Sequence, residues 1–165
     1  MKRFIISALL TILSLQCFAQ TEYKATVFGA KSDGITDNTA TIQRAINFIS
    51  EKGGGTLVFY VGRYLTGAVE LKDNVTIDLK EAAVLVGSTN IYSYKGAPAL
   101  VWSDGAKNVK VIGKGVIEGR HSALQAGMDE QKAKGYLAAD AAVPALVSGV
   151  ETGAEVKLIN DKVTK

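Results

Sequence analysis

Between Thr39 and Lys52 the apolar residues Ile42, Ala45, Ile46 and Ile49 recur at i, i+3, i+4 and i+7. That spacing marks one face of an α-helix and predicts a helix over about 38–52. Asp37 or Asn38 can accept backbone N–H groups at its start. Gly53 suits a left-handed stop just past its end. Ahead of the helix, residues 23–28 alternate loosely and read as a short strand, and 29–38 read as a loop.

After Gly55 the period changes. Short β-rich runs follow at 56–60, 64–66, 68–71, 75–79, 84–86, 100–102, 109–112 and 116–117, divided by Gly, Asp, Asn and Lys. Parallel strands of an ordinary α/β sheet need crossover helices between them. Hairpin proteins place two-residue Asn-Gly or Asp-Gly loops between alternating strands. Neither pattern dominates here. An internal repeat decides the matter. "AVELKDNVTIDL" at 68–79 matches "ALVWSDGAKNVKVIG" at 99–113, which sets Asn74 and Asn108 thirty-four residues apart. A third copy, "PALVSGVETGAEVKLIN" from Pro144, aligns with the stretch from Pro98 and lays Val156 on Val109. Strand–turn–strand units joined by loops of variable length are the mark of a solenoid, and all three copies are β. The fold expected is an all-β solenoid, a β-helix whose coils bury apolar strand residues against one another and stack polar turn residues outside. Residues 123–143, rich in Ala, Lys, Glu and Gln, break the pattern; a short helix and an inserted loop between coils both remain open.

The first residues stand apart from this pattern. Lys2 and Arg3 precede a twelve-residue apolar run at 4–15, shorter than the ~20 residues a membrane-spanning helix requires. Cys17 and Ala19 then occupy the −3 and −1 positions of a cut before Gln20. These are the parts of a secretory signal peptide, 1–19, which leaves 20–165 as one β-helix domain that is secreted or periplasmic. A lipid anchor on Cys17 is the lesser alternative, since Gln16 suits it poorly. The cut removes two of the 19 basic residues and no acidic one, leaving 17 against 16. That balance gives no argument for nucleic acid or a membrane surface as partner. The one Cys, Cys17, leaves with the leader, so the mature chain depends on burial and not on disulfides.

Several short stretches now gain a common meaning. Phe28-Gly29-Ala30, Asp33-Gly34 with Thr36-Asp37, Ile42-Gln43 with Ala45-Ile46, Gly53-Gly54-Gly55-Thr56, Gly62 with Tyr64, Leu71-Lys72 with Asn74-Val75, and Gly115-Val116-Ile117-Glu118-Gly119 keep a specific order and spacing. They resemble the N-terminal region of the pectate-lyase-like superfamily, closest to the polygalacturonases and rhamnogalacturonases of glycoside hydrolase family 28. The resemblance covers most of 23–120, and 144–160 resemble the next coil. It implies a right-handed parallel β-helix of a few coils, capped at its N-terminal end by the helix at 38–52. It also implies a carbohydrate-active protein that hydrolyses galacturonan-type polysaccharide, without a cofactor. The chain departs from the family at Tyr60-Val61, where a proline is usual, and at Arg120-His121, where a glycine is usual. The family's Asn-x-Asp, Asp-Asp, Gly-His-Gly and Arg-x-Lys catalytic motifs are absent, and Asn160-Asp161 lacks their spacing. No catalytic residue is therefore assigned. The expectation is a chain cut short of its catalytic coils and inactive alone, with an open last coil that favours self-association. The alternative is a non-enzymatic β-helix module that binds polysaccharide or has a structural role.

Read residue by residue, the chemistry is sparse. Inverting glycoside hydrolysis needs two carboxyl groups ~6.5–9.5 Å apart. The candidates are Glu70, Asp78, Asp104 and Glu118, and the bland reading of each is a solvated carboxylate on a strand face. Asp78 alternates with Val75, Ile77 and Leu79 and so faces outward. His121, the only histidine, has no identifiable partner for general-base work. Asp33, Asp37 and Asn38 lack the spacing of a calcium loop, and a helix cap explains Asp37 better. The triple glycine at 53–55 follows a helix and precedes no Lys-Ser/Thr, so it is not a phosphate loop. Among Tyr60, Tyr64, Tyr92, Tyr94 and Trp102, the tyrosines Tyr92 and Tyr94, in a polar loop, are the best candidates for sugar contact.

Overall fold

The computed structural model describes residues 21–161. The leader, its cut after Ala19 and the Cys17 anchor lie outside them. Twelve strands build three sheets in which every pair is parallel. The first sheet stacks β1 (Glu22–Lys24), β2 (Gly55–Phe59), β5 (Val75–Leu79), β8 (Lys110–Gly113) and β11 (Glu151–Thr152). The second stacks β3 (Gly62–Thr66), β6 (Ala83–Gly87), β9 (Val116–Gly119) and β12 (Lys157–Asn160). The third stacks β4 (Val69–Glu70), β7 (Ala99–Trp102) and β10 (Ala145–Ser148). The chain thus visits the three sheets in turn, one coil at a time, with about 4.8 Å between stacked strands. It is a parallel β-helix of three complete coils and a fourth begun. No helix among the described residues is long and apolar enough to cross a membrane.

Alternation decides what each strand buries. Leu57, Phe59, Ile77, Leu79, Tyr64, Leu85, Val111 and Ile117 point into the bore and form its core. Phe59 and Tyr64 meet edge to face at 5.0 Å across the corner between the first two sheets. Turn residues stack outside as expected. Asn74 and Asn108 both hold left-handed backbone, φ 62° and 55°, and the Asn108 Nδ2 donates to the Asn74 Oδ1 at 2.9 Å.

The capping helix, α1 (Thr39–Glu51), buries Ile42, Ala45, Ile46 and Ile49 over the end of the bore. Full burial of each isoleucine contributes about 1.5–3 kcal/mol. Asp37 supplies the cap, its Oδ1 accepting from the Thr39 N–H at 2.8 Å. Asn38 does not cap. Its buried amide accepts from the Lys31 N–H at 2.7 Å and donates to the Lys31, Thr36 and Leu65 carbonyls, which ties the incoming loop to β3. At the far end Gly53 turns left-handed with φ 93°, and Gly54 follows at φ 114°. A Cβ on Gly54 would lie 2.7 Å from the Asn74 carbonyl oxygen, so glycine is required where helix, turn and second coil converge.

Two expectations need correction, and one left open is decided. The strand at 23–28 stops at Lys24, and Ala25–Phe28 is a 3₁₀ turn. It folds over so that Phe28 can pack with Tyr23 and Phe48 beneath the cap. The segment 123–143 resolves as a helix, α2 (His121–Ala133), followed by an irregular return. Leu124 and Met128 bury its inner side. The third repeat is also out of register. Lys157 pairs with Val116, and Lys110 pairs with Glu151, so Val156 is not the stacked counterpart of Val109. The turn after β10 is shorter than the turn after β7, and the later strands slide one sheet further along.

Candidate functional site

Loop length is uneven around the bore. At the corner from the second sheet to the third, the first coil spends only Gly67 and Ala68. The second coil spends 88–98, and the third spends 120–144. The growing loops stack on one another. The Tyr92 hydroxyl donates to the Gln131 Oε1 of α2 at 3.2 Å, and the Arg120 Nε–H donates to the Gly87 carbonyl at 2.9 Å. Gly67 is a point of close approach: a Cβ there would lie 2.2 Å from the Ser93 carbonyl oxygen.

Between the 88–98 loop and the outer side of α1 lies a cleft of about 980 Å³. Its floor carries Glu70 and Trp102, which are paired in register on β4 and β7. One wall is α1, with Thr39, Gln43, Arg44 and Asn47; the other carries Tyr92 and Lys95. Gln43 is fixed by both ends of its amide, accepting from the Glu70 N–H at 2.8 Å and donating to the Glu70 carbonyl at 3.0 Å. The acids of the cleft are spoken for. The Asp37 carboxylate caps α1, and Glu70 pairs with Lys72 at 2.6 Å. The cations are not. Arg44 donates only to the Thr41 hydroxyl at 3.2 Å. Among the described residues neither it nor Lys95 forms an ion pair.

The two tyrosines proposed for sugar contact part company. Tyr92 stands 57% exposed at the cleft. Tyr94 is 4% exposed and donates its hydroxyl to the Ser88 carbonyl at 3.0 Å. Burial pushes its phenol up to about 12, opposed by the nearby Arg120 charge. Its ring belongs to the core, so Tyr94 is withdrawn as a contact. Tyr64 is buried likewise, and Tyr60 lies on the other side of the solenoid beside Lys24.

The candidate carboxylates are scattered and mostly paired. Asp78 faces away from the bore, between Val58 and Ile112 of the neighbouring strands. It is nonetheless only 8% exposed, and Lys80 holds it at 2.6 Å. Glu118, on the outer side of the second sheet, is gripped by the Arg63 guanidinium at 2.8 and 3.0 Å. Glu70 and Asp104 do converge on a smaller cleft of about 460 Å³ beside Ser50, Lys72 and Asp73, with Glu70 engaged by Lys72. His121 opens α2, half-buried. The Asp33 carboxylate accepts from the Thr36 hydroxyl and from the Thr36 and Ile35 N–H groups, which lowers its pKa to about 2. Asp33 and Asp37 thus turn their oxygens to their own loop. No cluster of three His, Cys, Asp or Glu side chains suited to a metal occurs among the described residues.

Arg44, Lys95, Gln43 and Asn47 do not stand out as a group along the chain. The polar face of α1 was its only trace, because the opposite wall comes from 50 residues further along.

Comparison with known proteins agrees with the fold. Residues 23–132 fit the family described as rhamnogalacturonase A/epimerase, pectate lyase-like. A Parabacteroides merdae crystal structure, provisionally described as a glycosyl hydrolase, is 46% identical with a TM-score of 0.80, over 84% of this chain and 64% of that one. The exo-poly-alpha-D-galacturonosidase of Dickeya chrysanthemi is 35% identical over 114 residues, 57% of this chain and 19% of that protein. The family 28 exopolygalacturonase of Yersinia enterocolitica shares the fold at a TM-score of 0.66 and 22% identity, over 84% of this chain and 34% of its own. The chain therefore spans about a fifth of the curated relative and under two thirds of the Parabacteroides structure.

Proposed function

Since the chain belongs to the rhamnogalacturonase A/epimerase, pectate lyase-like family, we propose that it is a secreted or periplasmic protein that engages galacturonan-type polysaccharide. The family match over 23–132 carries this reading, because those residues are the coils and cap described above. Secretion rests on the leader pattern at 1–19. In this reading the chain holds polymer and does not cleave it. Glu70, Asp78 and Glu118 are each neutralised by a cation at 2.6–2.8 Å, and inverting hydrolysis needs one carboxyl to protonate the leaving oxygen and another to activate water. These three lie on separate sheets, and none of them faces another across one cleft. The same observation favours the second reading, a polysaccharide-binding or structural module. The last described coil adds a third element. Leu158 and Ile159 are 48% and 50% exposed at the last edge, and unpaired strand edges template association.

One experiment separates these readings. The purified chain is incubated with polygalacturonate and with rhamnogalacturonan, and reducing ends and unsaturated products are followed together. Retention on immobilised polymer without either product is expected. Robust turnover would overturn the claim that the carboxylates are idle, and absence of retention would overturn the polysaccharide reading. Sedimentation over a range of concentrations checks association through the Leu158–Ile159 edge; a sharp, concentration-independent monomer melt contradicts self-association.

A further inference from the structure

We infer that Asp104 is a site of spontaneous isoaspartate formation, with Gly105 as the attacking residue, and that the fold shields the same tripeptide at Asp33. The inference stands apart from the polysaccharide reading. Ser-Asp-Gly occurs twice, at 32–34 and at 103–105, and these are the two places where glycine follows an aspartate or an asparagine. Glycine is the least hindered neighbour, because no Cβ obstructs its nitrogen. In the step, the Gly105 nitrogen attacks the carboxyl carbon of the Asp104 side chain and gives up its proton, and a water leaves. The product is a cyclic succinimide. Water then returns to either ring carbonyl. Opening at the side-chain carbonyl restores aspartate. Opening at the main-chain carbonyl routes the backbone through Cβ and Cγ and leaves the former main-chain carbonyl carbon in the side-chain carboxylate. A water leaves and a water enters, so the step balances without any co-reactant.

The two turns are alike in sequence and differ in their surroundings. Both reactants at 33–34 are held. The Gly34 N–H donates to the Arg63 carbonyl at 2.8 Å. The Asp33 carboxylate accepts from the Thr36 hydroxyl at 2.7 Å and from the Thr36 and Ile35 N–H groups at 2.8 and 2.9 Å. These donors keep it ionised, with a pKa of about 2, whereas ring closure proceeds on the protonated carboxyl, the form that can lose water. Space is taken there too: a Cβ on Gly34 would lie 3.3 Å from the Arg63 Cβ. At 104–105, in the turn between β7 and β8, both residues are exposed. Among the described residues the Gly105 N–H reaches no acceptor, and the Asp104 carboxylate has neither a hydrogen bond nor an ion pair. A Cβ on Gly105 would meet nothing within 4 Å. This turn also secures the seam between the second and third coils. The Lys107 N–H donates to the Asp73 Oδ1 at 2.6 Å, and the Lys107 carbonyl accepts from the Asn74 N–H at 2.9 Å. Isoaspartate adds a main-chain atom between Ser103 and Gly105 and so shifts that seam.

The test ages the purified chain for several weeks at body temperature and mildly acidic pH. Trypsin then releases 32–44 and 96–107, each with one Asp-Gly pair. Isoaspartate is read as a retention shift at unchanged mass and as methyl uptake from an isoaspartyl methyltransferase. Its yield in 96–107 should exceed that in 32–44 by about tenfold or more, since the low pKa of Asp33 alone cuts its protonated fraction by at least that factor. In concentrated urea, where the tripeptides lose their surroundings, the two yields should converge. Asp104→Glu keeps the charge but requires a larger ring, and it should clear the signal from 96–107. Aged wild-type protein should unfold at lower urea than fresh protein, and aged Asp104→Glu should not. Equal yields in the folded chain, no product in 96–107, or a difference that persists in urea overturns the inference. A signal in 96–107 that survives Asp104→Glu overturns it as well, and equal urea midpoints overturn the claim that the turn secures the seam.

Discussion

The two ends of the solenoid are built from the same strands and meet water in opposite ways. At the start, α1 lays four apolar residues over the bore, and the Tyr23, Phe28 and Phe48 rings close the seam beneath it. At the last described strand, Leu158 pairs with fully buried Ile117 yet stands 48% exposed, because no strand among the described residues lies beyond it. A β-helix coil has no core of its own. Each position gains burial only from the coil above and the coil below, so identical side chains differ in worth with their place in the stack.

The sharpest way to break this comparison is to make one deletion at each end. Ile46→Ala, at a site with no exposure, should cost about 3 kcal/mol. Leu158→Ala should cost about 1 kcal/mol or less. Equal losses in urea unfolding would mean that the last coil is covered in solution. Glycines offer a second matched pair. Gly54→Ala forces φ 114° on a side chain and drives it into the Asn74 carbonyl, for a loss of about 2 kcal/mol. Gly153→Ala meets the Ile112 Cα at 3.4 Å, an ordinary contact, and should change stability by less than about 0.5 kcal/mol.

Tyr94 tests whether the middle behaves like the sealed end. Burial raises its phenol to about 12, whereas the unfolded chain ionises at about 10. Below pH 10 both states hold the proton, and the stabilisation is complete. Between pH 10 and 12 the unfolded state releases it first, so stability falls by roughly 2 kcal/mol across that window. The alkaline limb of the unfolding free energy should be shallower in Tyr94→Phe; superimposable limbs would mean that the ring is solvated. The smallest effect is expected at Arg63, whose side chain is half exposed and spans from the first coil to the third. Arg63→Ala should cost about 0.5 kcal/mol and cost less in high salt, and a salt-independent loss would indicate packing in place of charge.

Much of this architecture was legible in the residues. Ile42, Ala45, Ile46 and Ile49 announced the cap, and Asn74 with Asn108 announced the stacked turns. Both are local patterns repeated by geometry. The register of the last coil was not legible, since "KVIG" and "KLIN" look alike while turn length, not composition, decides which strand lies over which. Tyr94 misled because a polar loop surrounds it in sequence while its ring turns inward onto Ser88. Arg44 and Lys95 could not have been paired on paper. Only the winding of the coil brings helix and loop into one cleft.

The uneven corner has a consequence for the chain's entropy. Gly55 stacks on Val75, Thr76 on Lys110 and Lys110 on Glu151, so successive coils close loops of about 20, 34 and 41 residues. Loop closure costs only about 0.6 kcal/mol for each doubling in length. Growth from the first span to the third is therefore almost free in conformational terms. What bounds the corner is contact, as where Ser93 presses on Gly67, and new sequence is admitted there wherever it finds a neighbour to pack against.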